Sequence, residues 1–327
     1  MTLPFTRRIM LGASLAVPAI VSARAQDAFP THPVRLVVPF PPGGSTDVIG
    51  RIIAAAMQER LKQTVVVDNR PGASGTVGSA SVSRSPADGY TILFSNIASQ
   101  GVMPALSPGN VPYDPVKDFT HIGMIGVYWA VLLVNPKFPA KTLAEFIAEA
   151  KKHPGEINFA TSGIGSSPHL FVEMLKAEAG INIVHVPYRG AGPALSAILA
   201  NEVPAMGDSL PSSTPHIRSG ALRALGVSSA QRVPAFPNLP TFAEQGFPRM
   251  AIDNWYGISG PPDMPAPVVA TLTAALNDSL KDPAVIERMR TLGLEPRIMN
   301  GEAFGSFIEN MFALWKDTVR IANIHVD

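Results

Sequence analysis

Two glycine-rich turns, each set between a strand-like run and a helical pattern, constrain this chain most strongly. They are Pro41-Pro42-Gly43-Gly44-Ser45-Thr46-Asp47 and Thr161-Ser162-Gly163-Ile164-Gly165-Ser166-Ser167. Glycine lets the backbone approach a ligand closely. The start of a helix leaves about four N–H groups without partners and carries about half a positive charge, so it stabilises an anion placed there. The pair of turns predicts one small anion held between two lobes.

The sequence around these turns alternates short apolar runs with helical patterns. VRLVV, TVVVD and YTILF form a first series, with helices predicted near 46–61 and 75–84. A second series begins with WAVLLV after Tyr128 and ends with LRALGV. Strands that alternate with helices in this way predict an α/β fold with doubly wound, mainly parallel sheets. Such sheets bind ligands at the carboxyl ends of their strands.

The segment after the second series has to pack against one of the two α/β units. It contains a strand-like NWYGIS and helical patterns near 267–280, 283–292 and 302–322, which cannot bury their apolar faces alone. We assign the segment to the first unit. Residues 26–126 and 252–327 are then predicted to form lobe 1, and residues 127–251 to form lobe 2. The chain would cross between them near Val127 and Ala251, and two crossings predict a hinge.

Residues 1–25 have the pattern of a secretory signal peptide. Thr6-Arg7-Arg8 supplies positive charge, an apolar core spans 9–21, and Ala23-Arg24-Ala25 matches a cleavage signal. The apolar core is shorter than the roughly 20 residues that span a bilayer. Because the chain has no cysteine, a lipid anchor is not expected either. The pattern predicts cleavage after Ala25 and a protein free in the periplasm, and it leaves open whether export uses the Sec or the twin-arginine route.

Charge and composition exclude several other classes of protein. The chain has 26 Lys and Arg against 25 Asp and Glu, and the first 25 residues hold three of the arginines and none of the acids. No basic clusters indicate a nucleic acid or an acidic membrane surface as partner. The lack of cysteine excludes disulfides and thiolate metal sites. No metal is expected, because no acidic or histidine cluster has the spacing of metal ligands. No cofactor is expected, because neither of the nucleotide-binding motifs G-x-G-x-x-G and G-x-x-x-x-G-K-[ST] occurs after a strand.

Segments along nearly the whole chain together resemble one known family, the Bug-type solute receptors of tripartite tricarboxylate transporters. The segments are VRLVVPFPPGGSTD (34–47), VVVDNRPGASGTVG (65–78), DGYTILFSN (88–96), YDPVKDFTHIGMIG (113–126), NFATSGIGSSPHL (158–170), VHVPYRGAGPAL (184–195) and NWYGISGPPDMPAPVV (254–269). The resemblance implies a two-lobed type II periplasmic-binding-protein fold, known as a Venus flytrap. It also implies a receptor that closes over a small organic acid and delivers it to membrane permease subunits without chemistry. We expect a monomer.

By the same resemblance, the two glycine turns grip the ligand's carboxylate through backbone N–H and hydroxyl groups. The turn at Asp47 and the turn at Asp208-Ser209 are expected to shape the far end of the cleft, with some contacts made through water. Residues 96–101 depart from the Thr/Gly-rich loop that is common in the family, so this loop is expected to tune ligand identity. The predicted ligand-binding residues are Phe40, Pro41, Gly43, Gly44, Ser45, Thr46, Asp47, Ser95, Asn96, Ser162, Gly163, Gly165, Ser166, Ser167, His169, Arg189, Asp208 and Ser209.

Some of these residues also have ordinary structural interpretations. Ser and Thr in the turns could merely cap the next helix, and Asp47 is stabilised at any helix start, whether or not it reaches a ligand through water. His169 could be a packed side chain. Arg189 could pair with a second ligand carboxylate or hold its own turn through a salt bridge. One of Ser95 and Asn96 is expected to line the cleft.

Two other functions remain as alternatives. Gly207-Asp208-Ser209-Leu210 spells the GDSL motif of a serine hydrolase family, but the only D-x-x-H, from Asp118 to His121, precedes it instead of following it. A receptor for an inorganic oxyanion would use the same backbone donors as a carboxylate receptor. The sequence does not name the acid: aliphatic di- and tricarboxylates, amino acids and aromatic carboxylates all fit a grip made of backbone groups.

Overall fold

A computed structural model of the protein describes Met1 and residues 29–322. The predicted signal peptide and its cleavage site therefore lie outside the described residues. The first α/β unit contains β1 (Val34–Val38), α1 (Ser45–Leu61), β2 (Val65–Asn69), α2 (Thr76–Ser83), β3 (Thr91–Asn96), α3 (Met103–Leu106) and β4 (Thr120–Tyr128). The second contains β5 (Ala130–Val134), α4 (Leu143–Lys152), β6 (Asn158–Thr161), α5 (Ser167–Ala179), β7 (Val184–Pro187), α6 (Ala191–Leu199), β8 (Ala205–Ser209), α7 (Leu210–Arg218) and β9 (Arg223–Val227).

The rest of the chain returns to the first sheet. It forms β10 (Asn254–Gly260), α8 (Ala266–Ser279), α9 (Pro283–Thr291), β11 (Leu294–Asn300) and α10 (Gly301–Ala322). We call the six-stranded sheet β11-β4-β10-β3-β1-β2 with its helices the first lobe, and the five-stranded sheet β7-β6-β8-β5-β9 with its helices the second lobe. Among the described helices, none combines the length and the apolar character needed to cross a bilayer.

Both sheets are mixed, which corrects the prediction that they are mainly parallel. In the first lobe β1 is parallel to β2 and β3, but β10 is antiparallel to β3 and β4, and β11 is antiparallel to β4. In the second lobe β6 is parallel to β7 and β8, but β5 is antiparallel to β8 and β9. The reason is the double crossing: β4 carries the chain out of the first lobe and β10 carries it back beside β4, so the two strands run in opposite directions.

Helices cover the sheet of the second lobe on both faces. Along β5, Leu132 packs in one apolar cluster with Phe146 of α4 and Phe159 of β6, while Val131 packs in another with Ile198 of α6. Every residue of β5 is buried. A strand covered on both faces needs apolar residues at every position instead of every second one, which explains the continuous run AVLLV.

Two strands, β4 and β11, were not predicted. β4 contains Gly123 and Gly126, and a β-carbon at Gly126 would lie only 2.4 Å from the backbone oxygen of Glu295 in β11. These glycines let the neighbouring edge strand β11 approach β4 closely, but they also weaken the strand pattern of β4 in the sequence. β11 is an edge strand with Pro296 inside it and several exposed residues, so its apolar pattern is weak as well.

The two crossings lie side by side and are joined by hydrogen bonds. Trp129 separates β4 from β5, and its indole Nε1 donates to Asp253 Oδ1 at 2.8 Å, just before β10. The Ser228 hydroxyl accepts from the backbone N–H of Ala130 at 2.9 Å, and the carbonyl of Ser228 accepts from the N–H of Ile252 at 2.9 Å. The outgoing and returning segments therefore form one connected unit between the sheets.

The C-terminal helix packs behind the loop that follows β3. This loop begins as a π-helical turn, Ala98–Val102, and continues into α3. Ile97 and Val102 share an apolar cluster with Trp255, and with Phe304, Ile308 and Trp315 of α10. A β-carbon at Gly101 would lie 3.3 Å from the Trp315 ring, so the helix and the turn are in close contact.

Candidate functional site

The two glycine-rich turns face each other across a cavity between the lobes. The cavity has a volume of about 40 Å³, and the space between its walls reaches about 450 Å³ when the open mouth is counted. It is lined by Phe40, Pro41, Gly44, Ser45, Thr46, Asn96, Ala98, Tyr128, Ser162, Ser166, Ser167, Pro168, Ala191, Asp208, Ser209 and Tyr256. Among these residues of the described chain there is no Lys, Arg or His. Donors for an anion must therefore come from backbone N–H groups, hydroxyl groups and an amide.

The first turn presents the start of α1 to the cavity without a side-chain cap. Gly44 is the N-cap residue in an extended conformation, and no side chain among the described residues caps this helix end. The first helical hydrogen bond runs from the N–H of Val48 to the carbonyl of Gly44 at 3.0 Å. The Ser45 hydroxyl lies 2.6 Å from the hydroxyl of Tyr256. The helix start can therefore offer backbone N–H groups to a ligand instead of to its own side chains.

Asp47 stabilises this turn through its own hydrogen bonds and does not line the cavity. Its carboxylate accepts hydrogen bonds from the N–H of Gly43 at 3.0 Å and from the Asn69 amide at 3.0 Å, and forms an ion pair with Arg51 at 2.9 Å. Burial alone would raise the pKa of Asp47, but the hydrogen bonds from Arg51, Gly43 and Asn69 outweigh it and hold the pKa below its ordinary value. The geometry favours the structural interpretation of Asp47.

Replacing Asp47 with alanine is expected to lower the free energy of unfolding by about 2–3 kcal/mol, because the substitution leaves the N–H of Gly43 and the amide of Asn69 without their acceptor. Because the pKa of Asp47 is depressed in the folded state, this contribution is present above the ordinary pKa and is lost as the pH falls through the folded value. Urea denaturation at pH 7 measures the effect. Asp278, which is exposed and pairs with Lys281, provides the control Asp278→Ala, and equal losses in the two variants would contradict this role.

The second turn caps its own helix with a serine. The Ser166 hydroxyl accepts from the N–H of His169 at 3.3 Å and donates to the carbonyl of Gly163 at 2.7 Å. Gly163 and Gly165 both have positive φ, at 129° and 73°, which favours glycine at these positions. The Ser167 hydroxyl donates to Asn254 Oδ1 at the start of β10. A capped helix start has fewer free donors than an uncapped one, so the two turns are not equivalent.

The two lobes contact each other beside the cavity. The Ser74 hydroxyl of the first lobe donates to the carbonyl of Ile164 in the second. A β-carbon at Gly190 would lie 2.8 Å from the Pro41 ring, and one at Gly44 would lie 3.4 Å from the Ala191 side chain. These short approaches place both glycine turns against the opposite lobe.

The structure does not bring the other predicted site residues to the cavity. Ser95 is fully buried, and its hydroxyl accepts from Ser259, so only Asn96 of this pair lines the cavity. Gly43 is bonded to Asp47, and Gly165 packs against Met103. Gly163 and Arg189 line a neighbouring outer pocket that shares Phe40, Pro41 and Ser162 with the cavity.

His169 and Arg189 also depart from their predicted ligand roles. The His169 ring stacks on His185 with centroids 4.2 Å apart, and its Nδ1 accepts from the N–H of Gly165 at 3.3 Å. Burial lowers the pKa of His169, so the neutral ring is favoured. Arg189 is exposed and has no hydrogen-bonding or ionic partner within residues 29–322, so neither a salt bridge in its own turn nor a place in the cavity is observed.

Two tyrosines that sequence reasoning missed form the wall between the glycine turns. The rings of Tyr128 in β4 and Tyr256 in β10 stack with centroids 4.2 Å apart. Burial raises the pKa of Tyr256 to about 12 against the opposing hydrogen bonds from Ser45, Tyr128 and Thr46, and burial also raises the pKa of Tyr128. Both phenols are therefore neutral donors at ordinary pH. The sequence feature that could have pointed to these tyrosines is their position next to the two predicted crossings between the lobes.

Asp208 is the one acidic residue among the described residues that line the cavity. It is 1% exposed, and its Oδ2 accepts from the hydroxyls of Ser212 at 2.7 Å and Ser213 at 2.6 Å. Burial raises the pKa of Asp208 to about 6, although the hydrogen bonds from Ser213, Ser212 and Ser209 act in the opposite direction. An anionic ligand would favour the neutral form of this carboxyl group further.

The described residues do not form the set of catalytic groups that a serine hydrolase requires. Asp208 is bonded to Ser212 and Ser213, and the described structure records no histidine bonded to Ser209. His121 of the D-x-x-H sequence lies in β4 with its Nδ1 3.0 Å from the Ser259 hydroxyl, inside the first lobe. Burial lowers the pKa of His121 to about 4. Within the described residues there is also no cluster of three His, Cys, Asp or Glu side chains able to hold a metal ion.

Comparison with known protein families shows to which family the chain belongs. A family model described as the tripartite tricarboxylate transporter family receptor, TctC, matches residues 49–324. The chain belongs to the TctC family. The BugT protein of Bordetella pertussis is 35% identical over 311 residues, which is 95% of this chain and 95% of BugT. The family resemblance inferred from the sequence motifs is therefore confirmed.

Solved structures of TctC-like proteins confirm the predicted fold class. The periplasmic binding protein BugD is 35% identical with a TM-score of 0.87, over 91% of this chain and 99% of BugD. MatC from Rhodopseudomonas palustris, solved with bound malate, is 31% identical with a TM-score of 0.84, over 89% and 100% of the two chains. An R. palustris protein solved with adipate is 33% identical with a TM-score of 0.87, over 91% and 99%. The TctC chain described here shares their two-lobed fold.

Proposed function

We propose that this TctC-family receptor captures a small organic acid in the cavity between its lobes and delivers it to the permease subunits of a tripartite transporter. The observation that carries the proposal is that helix starts from opposite lobes, at Ser45 and Ser167, open on one cavity without a cation. Malate and adipate, bound by two similar proteins, are both carboxylates. The family consists of receptors, so no catalytic step is proposed.

Neutral donors are sufficient for useful affinity. A micromolar dissociation constant corresponds to about −8 kcal/mol. A hydrogen bond to a charged group contributes about 1.5–3 kcal/mol, and a helix start contributes up to about 2 kcal/mol. The uncapped N–H groups near Gly44 and the hydroxyls of Ser45 and Ser162 are the candidate donors for such contacts. Neither a metal nor a cofactor is needed.

We propose that the protein works as a hinged clamp. Residues 26–126 and 252–327 would move against residues 127–251, with the hinge at the joined crossings of Trp129 and Asp253. Because each lobe supplies part of the cavity lining, the acid binds the closed arrangement more tightly than an open one and shifts the equilibrium by that difference. The permease would then recognise the closed shape of a single receptor molecule.

The receptor is proposed to act in the periplasm, in keeping with its family. The leader in residues 1–25 would be cleaved after Ala25, leaving Gln26 as the first residue and no lipid anchor. The mass of the secreted chain tests this boundary, and a first residue other than Gln26 would contradict it.

A panel of carboxylic acids tests the proposed function. At least one aliphatic or aromatic acid is expected to raise the melting temperature and to reduce the radius of gyration in small-angle scattering, because ligand binding closes the lobes. Phosphate and sulfate serve as the inorganic arm of the panel. If only phosphate or sulfate binds, the receptor's ligand is an inorganic oxyanion and not a carboxylic acid. If an acid binds tightly without compaction, the hinged mechanism is wrong.

A further inference from the structure

The second glycine turn is bonded to side chains that do not line the cavity. The N–H of Gly165 donates to Nδ1 of His169 at 3.3 Å. The N–H of Gly163 donates to Oγ1 of Thr161 at 3.2 Å, and that oxygen lies 2.6 Å from Nε2 of His185. The rings of His169 and His185 stack with centroids 4.2 Å apart. Both glycine N–H groups are therefore connected, directly or through Thr161, to one pair of histidines.

These bonds fix the serines of the turn at the cavity. Ser162, Ser166 and Ser167 line the cavity. The glycines between them, Gly163 and Gly165, have positive φ of 129° and 73°. Glycine populates positive and negative φ about equally, so the residue itself does not select this conformation. The hydrogen bonds of the two glycine N–H groups select it, and they place the neighbouring serines.

The bond from Gly165 requires a neutral His169 ring. Nδ1 accepts a hydrogen bond only when it carries no hydrogen, and in the charged ring both nitrogens carry one. A proton on Nδ1 would therefore face the N–H of Gly165 with a second donor and break the bond. His169 is also the third residue of α5, where the partial positive charge of the helix start opposes a charged ring.

The charged groups nearest to His169 lie on its own helix. Oε1 of Glu173 is 3.9 Å from Nε2 of His169, and Lys176 forms an ion pair with Glu173 at 2.8 Å. The turn itself, residues 162–166, contains no charged side chain. The carboxylate of Glu173 favours a proton on His169, and the ammonium group of Lys176 opposes it. Because these two charges act in opposite directions, burial decides the protonation state of the ring.

Groups on the elements packed against α5 complete these surroundings. β7 contributes the second ring, His185, and β8 contributes Asp208, whose carboxyl group is bonded to serines of α7. Arg249 pairs with Glu178, near the end of α5, at 3.1 Å. Burial lowers the pKa of His169, and burial lowers the pKa of His185 to about 4. Both rings are therefore neutral at pH 7, the form in which His169 accepts from the turn.

We propose that His169 and His185 are positioning residues whose neutral rings fix the second glycine turn in its ligand-binding shape, so that protonation of His169 loosens the turn and weakens binding. The inference rests on the proposed function, because it takes the cavity beside this turn to be the binding site. Neither ring lines the cavity, so both residues act through the turn. A receptor built in this way binds its ligand at neutral pH and releases it on acidification.

Nuclear magnetic resonance of the ligand-free protein tests the connection between ring and turn. The backbone amide resonance of Gly165 is expected to shift with the same midpoint as the His169 ring, below pH 6.5. In His169→Asn this shift should disappear, because Oδ1 of asparagine replaces Nδ1 as acceptor and does not titrate. The exposed His153 provides the control His153→Asn, in which the amide should titrate as in the wild type. A Gly165 amide that does not follow the His169 titration would overturn the inference.

Two amide substitutions test whether the role of His169 depends on Nδ1. Asparagine places an oxygen near the position of Nδ1, whereas glutamine places its amide near Nε2, out of reach of Gly165. Titration calorimetry at pH 7.5 with malate, adipate and the other acids of the panel compares the two variants. Binding by His169→Asn is expected to be at least about tenfold tighter than binding by His169→Gln. Equal affinities in the two folded variants would contradict a role through Nδ1.

The direction in which the pKa of His169 changes on ligand binding decides the mechanism. If the turn binds an acid best when His169 is neutral, saturation with the tightest acid of the panel must lower this pKa. A bound carboxylate that acted only through its charge would raise the pKa and would refute the inference. As the pH falls, the affinity of the wild type should also drop relative to that of His169→Asn, because both proteins share the protonation of Asp208 and of the acid itself. If no acid of the panel binds while the Gly165 amide titrates with His169, the proposed function fails and the role of the histidines in the turn stands.

Discussion

Replacing Gly44 with valine is expected to lower the affinity for the bound acid at least about a hundredfold. Gly44 is the N-cap of α1, and a β-carbon there would already lie 3.4 Å from the Ala191 side chain of the other lobe. The two further methyl groups of valine would occupy the space between the lobes, so they would both displace the ligand from the helix start and oppose closure. Titration calorimetry with the tightest acid of the panel measures the loss.

A matched glycine separates this effect from a general effect of β-branching. Gly109 is exposed, has no positive φ and would place a β-carbon in open space, so Gly109→Val is expected to leave the affinity unchanged. The φ of Gly44 is −83°, which valine also adopts, so the backbone itself does not forbid the substitution. An unchanged affinity in Gly44→Val would remove the first turn from the binding site.

Replacing Asp208 with asparagine is expected to raise the free energy of unfolding of the ligand-free protein by about 2–3 kcal/mol at pH 7.5. Asp208 is 1% exposed, and its pKa is raised from 3.8 to about 6, mainly by burial. The folded protein must therefore keep a carboxylate charged in an environment that disfavours the charge. Asparagine retains an oxygen for the hydroxyls of Ser212 and Ser213 and carries no charge. Urea denaturation of both proteins measures the difference.

The sign of the pH dependence distinguishes this explanation from improved packing. A carboxyl group with a raised folded pKa binds its proton more tightly in the folded than in the unfolded state. Its cost to stability is therefore absent below the unfolded value near 3.8, grows as the pH rises to about 6, and is constant above that. The gain from Asp208→Asn should accordingly disappear at pH 4. A gain of equal size at both pH values, or the same gain in the exposed control Asp278→Asn, would refute the electrostatic origin.

The sequence allowed the two turns and most of the elements around them to be predicted, because glycine and helix-start residues leave a local pattern. α1 was expected near 46–61 and extends from Ser45 to Leu61, and α9 was expected near 283–292 and extends from Pro283 to Thr291. The cavity contains residues from both turns, and this follows from the position of each turn at the carboxyl end of a strand. Local chemistry was sufficient for this part of the site.

The tyrosine wall and the orientation of the Asn96 amide could not be predicted in this way. Tyr128 and Tyr256 lie on adjacent antiparallel strands that pair only after the chain has passed through the second lobe, so no local pattern connects them. The same double crossing produces the mixed sheets. The orientation of the Asn96 amide depends on a bond from the N–H of Ser99 within a π-helical turn, a conformation that has no sequence signature.

The contact between the C-terminal helix and the π-helical turn has a practical consequence for engineering. Trp315 packs against Gly101, five residues after Asn96, so the last helix supports the loop that begins at this cavity-lining residue. Truncations that remove this helix would loosen the recognition loop from behind, far from the entrance of the cleft. Reshaping ligand preference, for a biosensor or a redirected uptake system, can therefore begin with the apolar face of α10 as well as with the residues that touch the ligand.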